Sequence, residues 1–200
     1  MKEFSVAMAL VDFIPVLLFA AAAVILQRKL YREMSKGAFA LFAAGTIDII
    51  CAGALKALYK LLYALGVCDF TALGQMFFPV QSIGFLLAGL GMLALVTHSQ
   101  GRRTLALAAP PVFSGTFVFV GLMVAGLGMM SAGLSVLAAK RSQKKLIVWF
   151  AVSFICSLCM GYLSSRDFTK ASMNWIAEAV NVVGQGALLL GAKNLSADQG

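Results

Sequence analysis

The sequence predicts an all-α integral membrane protein with seven transmembrane helices, on three observations: its composition, its long apolar runs and the basic clusters between them. Hydrophobic residues make up 61% of the 200-residue chain and charged ones only 12%, against about 25% in soluble proteins. A soluble domain of this size cannot hide so much apolar surface, because its exterior must be wettable. Lipid removes the difficulty, since helices that are apolar all round are stable there.

Crossing about 30 Å of hydrocarbon takes roughly 20 apolar residues. Five runs meet that length, at about 5–27, 37–64, 74–97, 146–164 and 171–192. The first imitates a secretory leader, with Lys2 and the small residues Ala20 to Ala23, but it is too long, holds Asp12 and ends in Arg28-Lys29. It is read as the first transmembrane helix. The stretch from Thr104 to Ala139 is ambiguous. One helix of that length would extend about 54 Å, too long for one span and only just enough for two.

Charge decides the count. Arg28, Lys29, Arg32 and Lys36 follow the first run, Arg102 and Arg103 the third, and Lys140, Arg141, Lys144 and Lys145 the ambiguous stretch. All three clusters fall on the cytoplasmic side only if residues 104–139 cross twice. Eleven Lys and Arg, Lys193 included, then lie inside, and three (Lys2, Arg166 and Lys170) lie outside. The expectation is seven spans, N-terminus out and C-terminus in, with a short fourth helix near 104–117 that Pro110-Pro111 would kink. Six spans is the alternative.

Seven spans invite an internal comparison. Gln81-Ser-Ile-Gly-Phe-Leu-Leu-Ala-Gly in the third span runs beside Gln185-Gly-Ala-Leu-Leu-Leu-Gly-Ala in the last. The chain 1–200 is then a single transmembrane domain of two parallel triple-helix halves, 1–98 and 115–195, joined by the linker helix 104–117. Parallel repeats are a transporter device. The plan resembles that of the small seven-helix sugar transporters and their PQ-loop relatives, in topology alone. Their Pro-Gln pair is absent, and the nearest feature is Pro79-Val80-Gln81.

An ionisable side chain at membrane depth is costly and marks a functional site by default. Asp12 lies in the first span, Asp48, Lys56 and Lys60 in the second, and Glu178 in the last. Spacings of eight and four put Asp48, Lys56 and Lys60 on one helix face, and Glu178, Asn181 and Gln185 form a polar stripe at spacings of three and four. Gln81 and Glu178 fall at similar depth, so Asp12, Lys56, Gln81 and Glu178 are expected to converge on one cavity opening outward. Lys56 is the expected partner of Asp12 or Glu178. Lys60 is expected to snorkel to the outer surface. The candidate binding set is Asp12, Asp48, Lys56, Gln81, Glu178, Asn181 and Gln185. The competing reading of the same charges is a staple between helices.

Other features read as structural. Cys156-Ser-Leu-Cys159 has C-x-x-C spacing but lies mid-helix without a second pair, and Cys51 and Cys68 complete no disulfide framework. His98 belongs to the cytoplasmic interface, Trp149, Trp175 and Tyr162 to aromatic belts, and Gly84, Ala88, Gly121, Ala125, Gly126 and Gly128 to close helix approaches. Pro15 and Pro79 are placed to open the helix ladder beside Asp12 and Gln81. No basic face with interleaved aromatics points to nucleic acid. No H-E-x-x-H, G-x-S-x-G or Walker loop points to an enzyme, and no cofactor is expected.

These features favour a small secondary transporter or facilitator for a polar or charged small molecule, with the lipid bilayer and a metabolite or proton as partners. The expected location is the plasma (inner) membrane. A non-transporting sensor, assembly factor or partner subunit is the second reading, and an intramembrane lipid-modifying enzyme the third.

Overall fold

The computed structural model describes residues 5–97, 116–164 and 171–196. Among them every regular element is an α-helix: α1 (Val6–Val11), α2 (Phe13–Leu30), α3 (Lys36–Leu65), α4 (Thr71–Gln75), α5 (Phe77–Thr97), α6 (Thr116–Lys140), α7 (Leu146–Ser164) and α8 (Ala171–Asn194). α1 and α2 run on as one span, Val6–Leu30, as α4 and α5 do over Thr71–Thr97, and with the other four they make six helices long and apolar enough to cross a membrane. The short helix expected near 104–117 lies outside the described residues up to Thr116, where α6 has begun.

Local chemistry sets the boundaries. Ser5 and Ser35 cap α1 and α3, their hydroxyls accepting from the Met8 and Ala38 amides at 3.2 and 3.3 Å. α3 stops at Gly66, whose φ of 73° suits a residue without Cβ. Val67 N–H then donates to Leu62 and Gly66 N–H to Tyr63, a Schellman stop. α6 ends in the same way with Ser142 in the left-handed position, φ 58°, where Gln143 N–H donates to Ala138 and Ser142 N–H to Ala139.

Contacts along the helices give their directions. α2 and α3 are antiparallel, Val16 meeting Gly53 and Gln27 meeting Thr46. α3 and α5 are antiparallel, Gly45 lying on Gly84 and Ala88 while Gly91 lies on Ala38 and Phe42. α6 is antiparallel to α7, and α7 to α8. Two neighbouring pairs run parallel instead. α5 and α6 match Phe85 to Gly126, Met92 to Gly133 and Val96 to Lys140. α2 and α8 match Lys29 to Ala192 and Lys193. The spans thus close a ring in the order α2, α3, α5, α6, α7, α8. Because α5 and α6 run parallel, Thr97 and Thr116 lie at opposite ends of the bundle.

One end gathers the basic side chains. Lys29 Nζ donates to the last carbonyls of α8, and Lys140 Nζ donates to Val96 O at the end of α5, 3.4 Å away. These cations complement the negative ends of the two helix dipoles. Arg141 Nη2 donates to both carboxylate oxygens of Glu33 and Nη1 to Ser196 O, tying the α2–α3 turn to the α6–α7 turn and the end of α8.

The seams are close-packed through small residues. A Cβ at Gly126 would run into the Phe85 backbone, one at Gly45 into Ala88 and Gly84, and one at Gly84 into Gly45 O at 2.8 Å. This agrees with the expectation for Gly84, Ala88 and Gly126 but not for Gly121, whose Cβ position is open, or for Ala125, which is exposed, while Gly128 meets Phe154 only at an ordinary 3.8 Å. We expect Gly126→Leu to destabilise by about 1–3 kcal/mol or more through overpacking. Gly121→Leu should leave thermal unfolding in detergent nearly unchanged.

Candidate functional site

Asp12 stands at the junction of α1 and α2, three residues before buried Pro15. Proline supplies no N–H to the preceding turn, so the backbone ladder is interrupted beside this carboxylate. Met76 and Pro79 repeat the arrangement at the α4–α5 junction, ahead of Gln81. Both interruptions lie in the half of the bundle away from the basic end.

In that half a cavity of about 380 Å³ opens inside the ring, and all six spans contribute to its wall. Six of the seven residues proposed from sequence line it: Asp12, Lys56, Gln81, Glu178, Asn181 and Gln185. Asp48 does not. It lies half-buried against Gly84 in the α3–α5 seam. Helical geometry explains the separation, since each step of four residues turns the face by about 40° and eight residues carry it about 80°.

The charges pair differently from expectation. Lys60 does not snorkel outward. It is 9% exposed and its ammonium contacts the Asp12 carboxylate, with Glu178 Oε1 at 4.0 Å. Asp12 and Glu178 are likewise buried, at 6% and 8% exposure. An ammonium this far inside an apolar bundle is stable only with anionic company, and two carboxylates outweigh the route to the surface. Lys56, the expected partner, takes neither. Its Nζ lies 4.0 Å from the centroid of the Phe77 ring, a cation–π contact, and it makes no ion pair or hydrogen bond among the described residues.

Compared with known proteins, the chain matches no family model, no curated protein and no solved structure. The site must therefore be read from its own chemistry.

Three buried acceptor atoms in the wall, Asp12 Oδ1, Glu178 Oε2 and Gln185 Oε1, meet no N–H or hydroxyl donor among the described residues, and the Asp12 and Glu178 carboxyls lie within hydrogen-bond reach of each other. The other end of Gln185 donates to Asn181 Oδ1 at 3.5 Å. A buried polar atom left unpaired costs about 1–3 kcal/mol, so these atoms favour donors from water or a solute in the cavity. Phe19, Phe78, Phe85, Met123 and Leu127 supply the apolar remainder. Sequence reasoning missed Phe77, whose only signal was its place one turn before Gln81, and it did not foresee that Tyr162, near a span end, also borders the cavity.

Among the described residues no three His, Cys, Asp or Glu side chains gather as a metal site. Cys156 packs against Gly184 while Cys159 is exposed, and both are free thiols.

Removing the shared cation tests the cluster. Lys60→Met leaves two buried carboxylates uncompensated and should cost about 3–5 kcal/mol in detergent unfolding. Adding Asp12→Asn and Glu178→Gln to that variant should recover at least half of the loss.

Proposed function

We propose that the chain is a seven-span secondary transporter or facilitator for a small polar or charged molecule. The observation that carries the reading is the single cavity, walled by all six spans, that holds charges of both signs and unpaired acceptors inside an apolar bundle. In this reading Lys56 meets an anionic group, Asp12 and Glu178 meet a cationic group or carry protons, and Gln81, Asn181 and Gln185 provide neutral hydrogen bonds. Asp48, off the cavity, drops out of the proposed site.

The seven-span count draws support from the parallel run of α5 and α6: the chain leaves one end of the bundle at Thr97 and re-enters at the other at Thr116. The proposed orientation puts the basic end in the cytoplasm of a plasma-membrane protein, by the charge asymmetry. The ring order supports two parallel halves, α1–α5 and α6–α8, because each half reads down, up, down and the halves meet at the two parallel seams. Lys29 capping α8 and Lys140 capping α5 occupy corresponding places in these seams. Counted back from the helix ends, Gln81 is level with Glu178 rather than with Gln185, so the likeness of the two Gln-led stretches is not the register of this repeat.

A partner-subunit reading has one observation in its favour. Asp48 makes no ion pair or hydrogen bond among the described residues, and a neighbouring chain could supply its cation.

Reconstitution separates the two. Liposomes holding the purified protein are expected to take up at least one labelled solute from a panel of amino acids, sugars, amines and monocarboxylates. Lys56→Ala and Glu178→Gln should each cut that uptake about ten-fold or more, the effect of losing one charged hydrogen bond. Wild-type uptake by both folded variants contradicts the site, and no uptake at all contradicts transport.

A further inference from the structure

The arrangement of charge around the cavity narrows the ligand, given that the cavity is the ligand site proposed above. Asp12, Glu178, Lys56 and Lys60 sum to zero when all are ionised, but the charges are not evenly spread. Lys60 is held by the two carboxylates and offsets one of them. With both carboxylates ionised, the α2–α8 side carries one negative charge more than Lys60 offsets, on two carboxyls that lie within hydrogen-bond reach of each other, and Lys56, which leans on Phe77 of α5, carries the balancing positive charge. Lys56 and Lys60 are one turn apart on α3, about 5–6 Å between their Cβ atoms. Asp12, Glu178 and Lys56 all line the cavity, so both charges face it.

The unpaired groups have the same polarity. On one side stand acceptors without donors, Asp12 Oδ1 and Glu178 Oε2, with Gln185 Oε1 deeper on the same helix as Glu178. On the other stands an ammonium without an acceptor among the described residues, Lys56 Nζ. An isolated amine would satisfy the acceptors and leave Lys56 unmatched. An isolated carboxylate would do the reverse. Either would also leave the enclosed site with a net charge, which a low-dielectric interior opposes.

We propose that the cavity takes a small zwitterion of the α-amino-acid type with an apolar side chain, its carboxylate on Lys56 and its ammonium on the Asp12, Glu178 and Gln185 acceptors. Such a ligand is neutral overall and completes both sets of unpaired groups. Its side chain faces Phe19, Phe78, Phe85, Met123 and Leu127. The volume, about 380 Å³, lies at the small end of the roughly 300–1,000 Å³ usual for small-molecule sites.

The test compares three probes of one skeleton on the purified full chain in nanodiscs: L-leucine, 3-methylbutylamine, which lacks the carboxylate, and 4-methylpentanoate, which lacks the ammonium. Equilibrium binding should be saturable for leucine and about ten-fold or more weaker for each of the others. Lys56→Gln should lower leucine affinity to that of the amine while leaving amine binding unchanged. Either analogue binding within about three-fold of leucine overturns the zwitterion, as does absence of saturable leucine binding by folded protein. Leucine bound but not carried into liposomes leaves the ligand class standing and removes transport.

Discussion

Lys60 is the residue on which the arrangement turns, because its ammonium is shared by carboxylates from two other spans. Asp12 reaches it from the α1–α2 junction and Glu178 from α8. In an apolar bundle none of the three could stand alone, since a single uncompensated charge costs several kcal/mol. The contact holds the first and last spans side by side at the end where Lys29 does not reach. It also fixes the direction of the second span, whose inward face carries both lysines. Lys56 and the cavity follow from that orientation.

The seams do the opposite work. Gly45 on Gly84 and Ala88, and Gly126 on Phe85, bring backbones together so closely that no side chain fits between them. Without a hydrophobic drive between helices in lipid, such contact area and the polar links across it carry association. The tight seams lie toward the middle and the basic end, where Lys29 also ties α2 to α8 and Arg141 ties the α6–α7 turn to the α2–α3 turn. The other half, with helix breaks at Asp12 and Met76, is left hollow and polar. The bundle is thus close-packed at one end and interrupted, with a cavity, at the other.

Much of the fold was legible because the bilayer imposes a length. The run at 146–164 coincides with α7, and 37–64 differs from α3 by a residue at each end. Six of seven polar candidates met in one cavity because a buried polar group in lipid has few other places to go. What spacing could not give was side-chain direction. Lys56 and Lys60 lie on one face, yet which of them takes the carboxylates depends on the depth of Asp12 and Glu178 on neighbouring helices, a tertiary fact. Asp48 was misplaced because a spacing of eight reads as one face only if the turn is rounded to four residues. The likeness of the stretches that begin at Gln81 and Gln185 fixed nothing, since apolar helices match one another too easily.

The central claim is that charged and polar groups of several spans share one water-reachable site inside the membrane. Thiol accessibility reads this most directly. In a variant whose four native cysteines are replaced, a single cysteine at Asn181, in the cavity wall, is compared with one at Ile47, which faces outward at 53% exposure on α3. The account predicts that the Asn181→Cys protein in sealed vesicles reacts with a membrane-impermeant thiol reagent while Ile47→Cys stays inert. Inertness at both positions, from either side of the membrane, would contradict it.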